Sequence, residues 1–219
     1  MAVSSTRPAA ASTTQAAWDS GAMALAKAHP VPARLLRAHG PPRLGAKPAA
    51  SSRFQSLARA IAHQQLAGKA ASAIWSRVAL AVGAEFSPAA VLELGPQGLR
   101  ACGLSTAKAS AIVDLALSTA EGEIRFDRIA RLDDHKVIEQ LTSVKGIGPW
   151  TAQMFLMFEL RRIDVWPTGD YGVRAGFASA FALDGMPSPL ELGQLGDPFA
   201  PYRSILAWWC WRETDSKPS

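Results

Sequence analysis

The sequence predicts an all-α protein, on three observations. Apolar residues recur at helical spacing, cap residues repeatedly stand one position ahead of such runs, and long alternating strand patterns are absent. Short helices joined by Gly and Pro turns therefore account for the 219-residue chain, without an internal repeat of fixed period. A hydrophobic content of 48% suffices for a core at this length.

Residues 1–17, rich in Ala, Ser and Thr with Arg7 as the one charge, lack the continuous apolar run of a secretory signal. They read as a flexible tail ahead of a domain over 18–219. The stretch His39-Gly40-Pro41-Pro42-Arg43-Leu44-Gly45 cannot continue a helix and reads as a connector. Beyond it Phe54, Leu57, Ala58, Ile61 and Ala62 share one helical face, and Ser52 and Gln55 have capping-box spacing, which predicts a helix to about Leu66. Ser87 before Pro88, Ser105 before the run through Ile112 and Ala116, and Ser188 before Pro189 mark further helix starts. A last helix, Pro201 to about Arg212, carries Trp208, Trp209 and Trp211 and must pack back on the body.

Charge and cysteine usage narrow the class. Lys and Arg number 23 against 18 Asp and Glu, and the resulting +5 and pI near 9.6 favour a polyanionic partner. Cys102 and Cys210 stand far apart with no CxxC spacing, so neither a cysteine metal site nor a disulfide framework is indicated, and a reducing cytosol is the expected home. Apolar runs break long before the roughly 18 residues that a membrane span needs, so no membrane partner is expected.

The most specific string is Val144-Lys145-Gly146-Ile147-Gly148-Pro149-Trp150-Thr151-Ala152. Apolar Val137, Ile138 and Leu141 precede it and Met154, Phe155, Met157 and Phe158 follow, which reads as helix, tight turn, helix. Gly146 and Gly148 let the backbone turn sharply and bring amides close to a phosphate, Pro149 suits a first helical turn, and Lys145 adds a phosphate-seeking charge. Taken alone, such a GxG is more often a bare helix-to-helix turn. Eighteen residues past Ala152 stands Thr168-Gly169-Asp170-Tyr171-Gly172. On local grounds Asp170 is an ordinary helix cap.

The nine-residue string resembles the hairpin of the helix-hairpin-helix DNA glycosylases, and the resemblance extends over about the last three quarters of the chain. Within that superfamily the sequence is similar to the 3-methyladenine DNA glycosylase II type. The resemblance implies that Asp170 is the catalytic carboxylate, stabilising positive charge on the deoxyribose as a base leaves; Asp164 does not match that position. Bifunctional relatives carry a Lys two residues beyond the last hairpin Gly, where this chain has Trp150, and iron–sulfur relatives end in four Cys that it lacks. A water-using, monofunctional enzyme is implied, one that excises 3-methyladenine and 7-methylguanine in base excision repair. Ethenoadenine, hypoxanthine or uracil on the same scaffold, or a non-catalytic DNA-binding module, stay open as alternatives.

Further implications follow from the same resemblance. Trp150 and Trp211 line a pocket for a flipped base, with Met154 where some members present an aromatic ring, while Trp208 and Trp209 are structural. Gln64 and Gln65 either approach DNA at the lesion or are solvated helix-end residues; His63 is a half-buried helical residue rather than a base. The DNA wedge falls on the loop with Ser105 and Thr106 at its tip, where it is smaller, shifted or absent. Main-chain carbonyls of Thr142, Val144 and Ile147 are expected to hold a sodium or potassium ion, with no cofactor required. The partner is double-stranded DNA containing damaged bases, the state a monomer, and the compartment cytoplasmic, nucleoid-associated if bacterial. The architecture implied is two helical lobes around a DNA-binding cleft, with the N- and C-terminal segments in one lobe and the hairpin in the other. The extra N-terminal β-containing domain of larger relatives is expected to be lacking, since about fifty residues precede Ser52.

Overall fold

A computed structural model describes residues 14–45, 48–65 and 68–215. Among them eleven α-helices occur and no strand: α1 (Gln15–Ala28), α2 (Pro30–His39), α3 (Arg53–His63), α4 (Gly68–Val82), α5 (Pro88–Ala101), α6 (Thr106–Ala120), α7 (Asp134–Thr142), α8 (Pro149–Met154), α9 (Tyr171–Phe181), α10 (Pro189–Gly196) and α11 (Arg203–Asp215). They fall into two compact units. One holds α1, α2 and, from Leu156 onward, α9 to α11; the other is Pro48–Phe155.

In the Pro48–Phe155 unit the anticipated face of α3 is buried throughout, with Phe54, Leu57, Ala58, Ile61 and Ala62 all inside. Ile112, Leu115 and Ala116 of α6 and Val137 and Leu141 of α7 are buried as well. Each of these helices thus removes one apolar stripe from water, at roughly 25 cal/mol per Å². Ser87 and Ser105 accept the N3 amides of Ala90 and Lys108, as their positions predicted. Ser52 does not cap α3. It ends a 3-10 turn over Ala50–Ser52 with helical backbone angles, so its hydroxyl donates back to Ala49 O and is turned from the α3 amides. Helix α3 also stops at His63, because Gln64 is extended and Gln65 is left-handed at φ 54°; Leu66 lies outside the described residues.

The other unit is centred on α9 and α11. Trp18, Leu35, Phe177, Ile205, Leu206 and Trp209 are almost fully buried, and Gly176 lets α9 press on α11, since a Cβ there would stand 2.0 Å from Cys210 O. Burial raises the Cys210 thiol pKa far above its ordinary value, with Glu213 and Asp170 adding to the effect, so this cysteine is a packing residue. Ser188 and Glu191 form a full capping box on α10. Helix α1 begins at Gln15, inside the tail assigned over 1–17, because Thr14 supplies its cap; residues 1–13 lie outside the described residues. The connector also starts one residue late: His39 ends α2, and the break falls at Gly40 with φ 70°. Helix α11 begins at Arg203 rather than Pro201, where Asp164 accepts the Arg203 amide, and runs on to Asp215.

Candidate functional site

In the α9/α11 unit the irregular segment ahead of Asp170 is held by the first turn of α11 and by α10. The Arg203 guanidinium grips the Asp164 carboxylate at 2.8 and 2.7 Å, the Ser204 hydroxyl accepts the Val165 amide and donates to Arg162 O, and the Trp166 indole donates to Leu192 O. Asp164 is therefore committed to structure. Chain direction is set so that Asp170 falls at the N-cap of α9, where Oδ1 accepts the Val173 amide at 2.8 Å. The same oxygen accepts the Trp211 indole N–H at 2.9 Å. These two bonds fix the carboxylate's rotamer, and the positive end of α9 favours an anion there. Gly172 keeps the contact possible, because a Cβ would meet the Trp211 ring at 2.8 Å.

Trp211 is half-buried, and Phe158 stacks on it with ring centroids 5.9 Å apart. Nothing in the sequence pattern marks Phe158 as a site residue. It follows α8 in a π turn, Phe155–Glu159, and is exposed, so an apolar run that reads as core delivers one ring to the surface. Trp209 is fully buried with its indole donating to Gly40 O and serves packing, while Trp208 is half-buried with the Arg212 guanidinium over its ring.

The Pro48–Phe155 unit carries the hairpin between α7 and α8. Gly146 takes φ 83°, which only glycine adopts without strain, and Ile147 N–H donates to Val144 O to close the turn. Lys145, Gly146 and Gly148 are exposed, whereas Val144 and Ile147 are buried and anchor the turn. The Gln64 side chain is engaged, donating to Gly146 O at 3.1 Å and facing Thr151 Oγ1 at 3.4 Å; Gln65 is exposed. Trp150, 49% exposed, and Met154 share a recess of about 480 Å³ with His63, Gln64, Gln65 and Thr151. His63 shares its ring N–H with Arg59 O one turn back, in keeping with a helical role. Ser105 and Thr106 are exposed and Leu104 is buried, which leaves no bulky side chain at that tip.

The carbonyls of Thr142, Val144 and Ile147 belong to the hairpin and the end of α7, and Val144 O already accepts one amide. A carbonyl oxygen has a second lone pair, and neutral main-chain oxygens suit a monovalent cation, so the donor set fits such an ion. Among the described residues no group of three or more His, Cys, Asp or Glu forms a metal site of another kind.

This fold and hairpin define a class. The chain belongs to the HhH-GPD superfamily of base excision DNA repair proteins, whose family model matches residues 58–200. Among its relatives is DNA-3-methyladenine glycosylase 1 of Schizosaccharomyces pombe, 35% identical over 162 residues that make up 73% of this chain and 71% of the relative. Two solved structures are similar. The S. pombe 3-methyladenine DNA glycosylase in complex with abasic DNA superposes with a TM-score of 0.72 at 30% identity, covering 88% of this chain and 95% of that one. A DNA-3-methyladenine glycosidase from Bacillus halodurans gives 0.78 at 33% identity, covering 88% and 87%.

Proposed function

We propose that this protein is a monofunctional DNA glycosylase that excises alkylated purines, 3-methyladenine and 7-methylguanine among them, by hydrolysing the N-glycosidic bond in base excision repair. The observation that carries this reading is Asp170, a carboxylate fixed at a helix N-terminus by Val173 and by the indole of a surface-facing tryptophan. The names of the relatives support the choice of alkylpurines.

As the bond from C1′ to the purine breaks, its electron pair leaves with the base and positive charge grows on the sugar. Asp170 opposes that charge and directs a water to C1′, whose oxygen forms the new bond while its proton passes to the carboxylate or to solvent. N3- or N7-alkylated purines are already cationic, so they depart neutral with no general acid. Trp150 stands where a lyase would place its amine, so no covalent sugar intermediate forms. An indole face such as that of Trp150 or of Trp211 attracts a flipped cationic base by about 0.5–2 kcal/mol, and Met154 adds apolar lining beside Trp150.

The partner is double-stranded DNA with damaged bases, bound by a monomer whose hairpin glycine amides and Lys145 side chain hold the backbone without reading sequence. The main-chain carbonyls of Thr142, Val144 and Ile147 would hold a sodium or potassium ion, and such an ion would supply positive charge that favours phosphate binding. The compartment we propose for the enzyme is the cytoplasm, where its DNA partner would lie. A panel of duplexes carrying single defined lesions tests the reading. Free 3-methyladenine and 7-methylguanine should be released faster than ethenoadenine, hypoxanthine or uracil; binding with release from none of them would establish a non-catalytic module instead.

A further inference from the structure

The hairpin's working groups are exposed main-chain atoms on a glycine turn, so something beneath must hold them in place. One face of α6 meets that need. Lys108, Ala111 and Asp114 recur every three residues and share a side of the helix. Asp114 Oδ2 accepts the Lys145 amide at 2.7 Å, at the tip of the turn. One turn earlier, the Ala111 methyl stands 3.0 Å from where a Cβ on Gly146 would be, so the turn's backbone rests directly on α6. A further turn back, the Lys108 ammonium donates to Ala62 O at 2.9 Å and to Gln64 O, tying down the end of α3. Gln64 then closes the circuit by donating to Gly146 O at 3.1 Å. Burial lowers the Lys108 pKa, as suits an ammonium withdrawn from water to satisfy helix-end carbonyls.

Asp114 is the member that needs explaining. A carboxylate bonded to the tip of a phosphate-binding turn repels the ligand, so on charge alone its removal would tighten DNA binding. Its bond to the Lys145 amide supplies the compensation: a charge-assisted acceptor holds a turn that would otherwise sample many backbone states. The geometry points to Asp114 as a positioning residue for DNA capture, acting with Lys108 through α6 to fix the hairpin against the Gln64 corner. This rests on the reading that the hairpin holds the DNA backbone.

The experiment compares wild type with Asp114→Ala, Asp114→Asn and Lys145→Ala on a methylated duplex across a NaCl series, well below each variant's melting temperature. Asp114→Ala should weaken affinity about tenfold with an unchanged salt slope, and should raise the half-saturating concentration for excision while leaving the single-turnover rate at saturation intact. Asp114→Asn retains an acceptor for the amide and should stay within about threefold of wild type. Lys145→Ala should flatten the slope of log K against log salt by about 0.9, the signature of one lost phosphate contact. Asp114→Ala binding as tightly as wild type or tighter, or Asp114→Asn losing as much as Asp114→Ala, would overturn the proposal. A Lys145→Ala variant with unchanged affinity and slope would instead overturn the hairpin reading beneath it.

Discussion

At Asp170 side chains and close helix packing pin the backbone: Trp211 and Val173 converge on one carboxylate oxygen, and Gly176 lets α9 lie against the Cys210 carbonyl. At the hairpin Lys145, Gly146 and Gly148 are exposed, and Gly148 has open space where a Cβ would go. The difference follows from what each must do. A lone carboxylate that opposes charge at one carbon gains from a fixed position, because misplacement by about 1 Å costs orders of magnitude in rate. A phosphate clamp needs amides in the right direction, and phosphates recur along any sequence. The Asp170 region should be intolerant of packing changes; in the hairpin, Gly148 should tolerate them, Gly146 on its Ala111 seat should not, and Lys145 should be sensitive to charge.

Single substitutions should separate the two regions. The largest effect belongs to Asp170→Asn, which keeps a cap oxygen for Val173 and Trp211 but removes the charge; base release should fall roughly 10²–10³-fold, the scale of a lost electrostatic stabiliser. DNA affinity and melting temperature should hardly move. Next is Gly176→Ala, which forces α9 and α11 apart and should cost about 3 kcal/mol by denaturant titration. Gly148→Ala, by contrast, should change stability by less than about 0.5 kcal/mol. Trp211→Phe keeps a ring against Phe158 and removes the indole N–H, so excision should drop about tenfold with affinity unchanged, the worth of a bond to a charged group. The smallest effect on folding is that of Lys145→Ala, with a melting temperature equal to wild type, since its side chain is exposed.

Local signals read well from the sequence. The α3 face, the caps at Ser87, Ser105, Ser188 and Asp170, and the hairpin with its glycines all depend on residues within a few positions of one another. Ser52 failed because a cap needs an extended backbone, and the preceding turn had already put it in helical angles. Contacts between distant residues left no local pattern. Trp211 reaches Asp170 across 41 positions and Asp114 reaches Lys145 across 31, while Phe158 is indistinguishable by composition from the buried Phe155 beside it.

Asp170, with Trp150 where a lyase would place its lysine, should remove an alkylated purine by hydrolysis, with no strand cleavage. That outcome is tested most directly by incubating the wild-type protein in excess with an end-labelled duplex bearing one 7-methylguanine, and assaying free base and strand length before and after alkali. A hydrolytic glycosylase should release the base stoichiometrically, leave the strand intact before alkali and give a single break after it. No release, or scission without alkali, would contradict that mechanism.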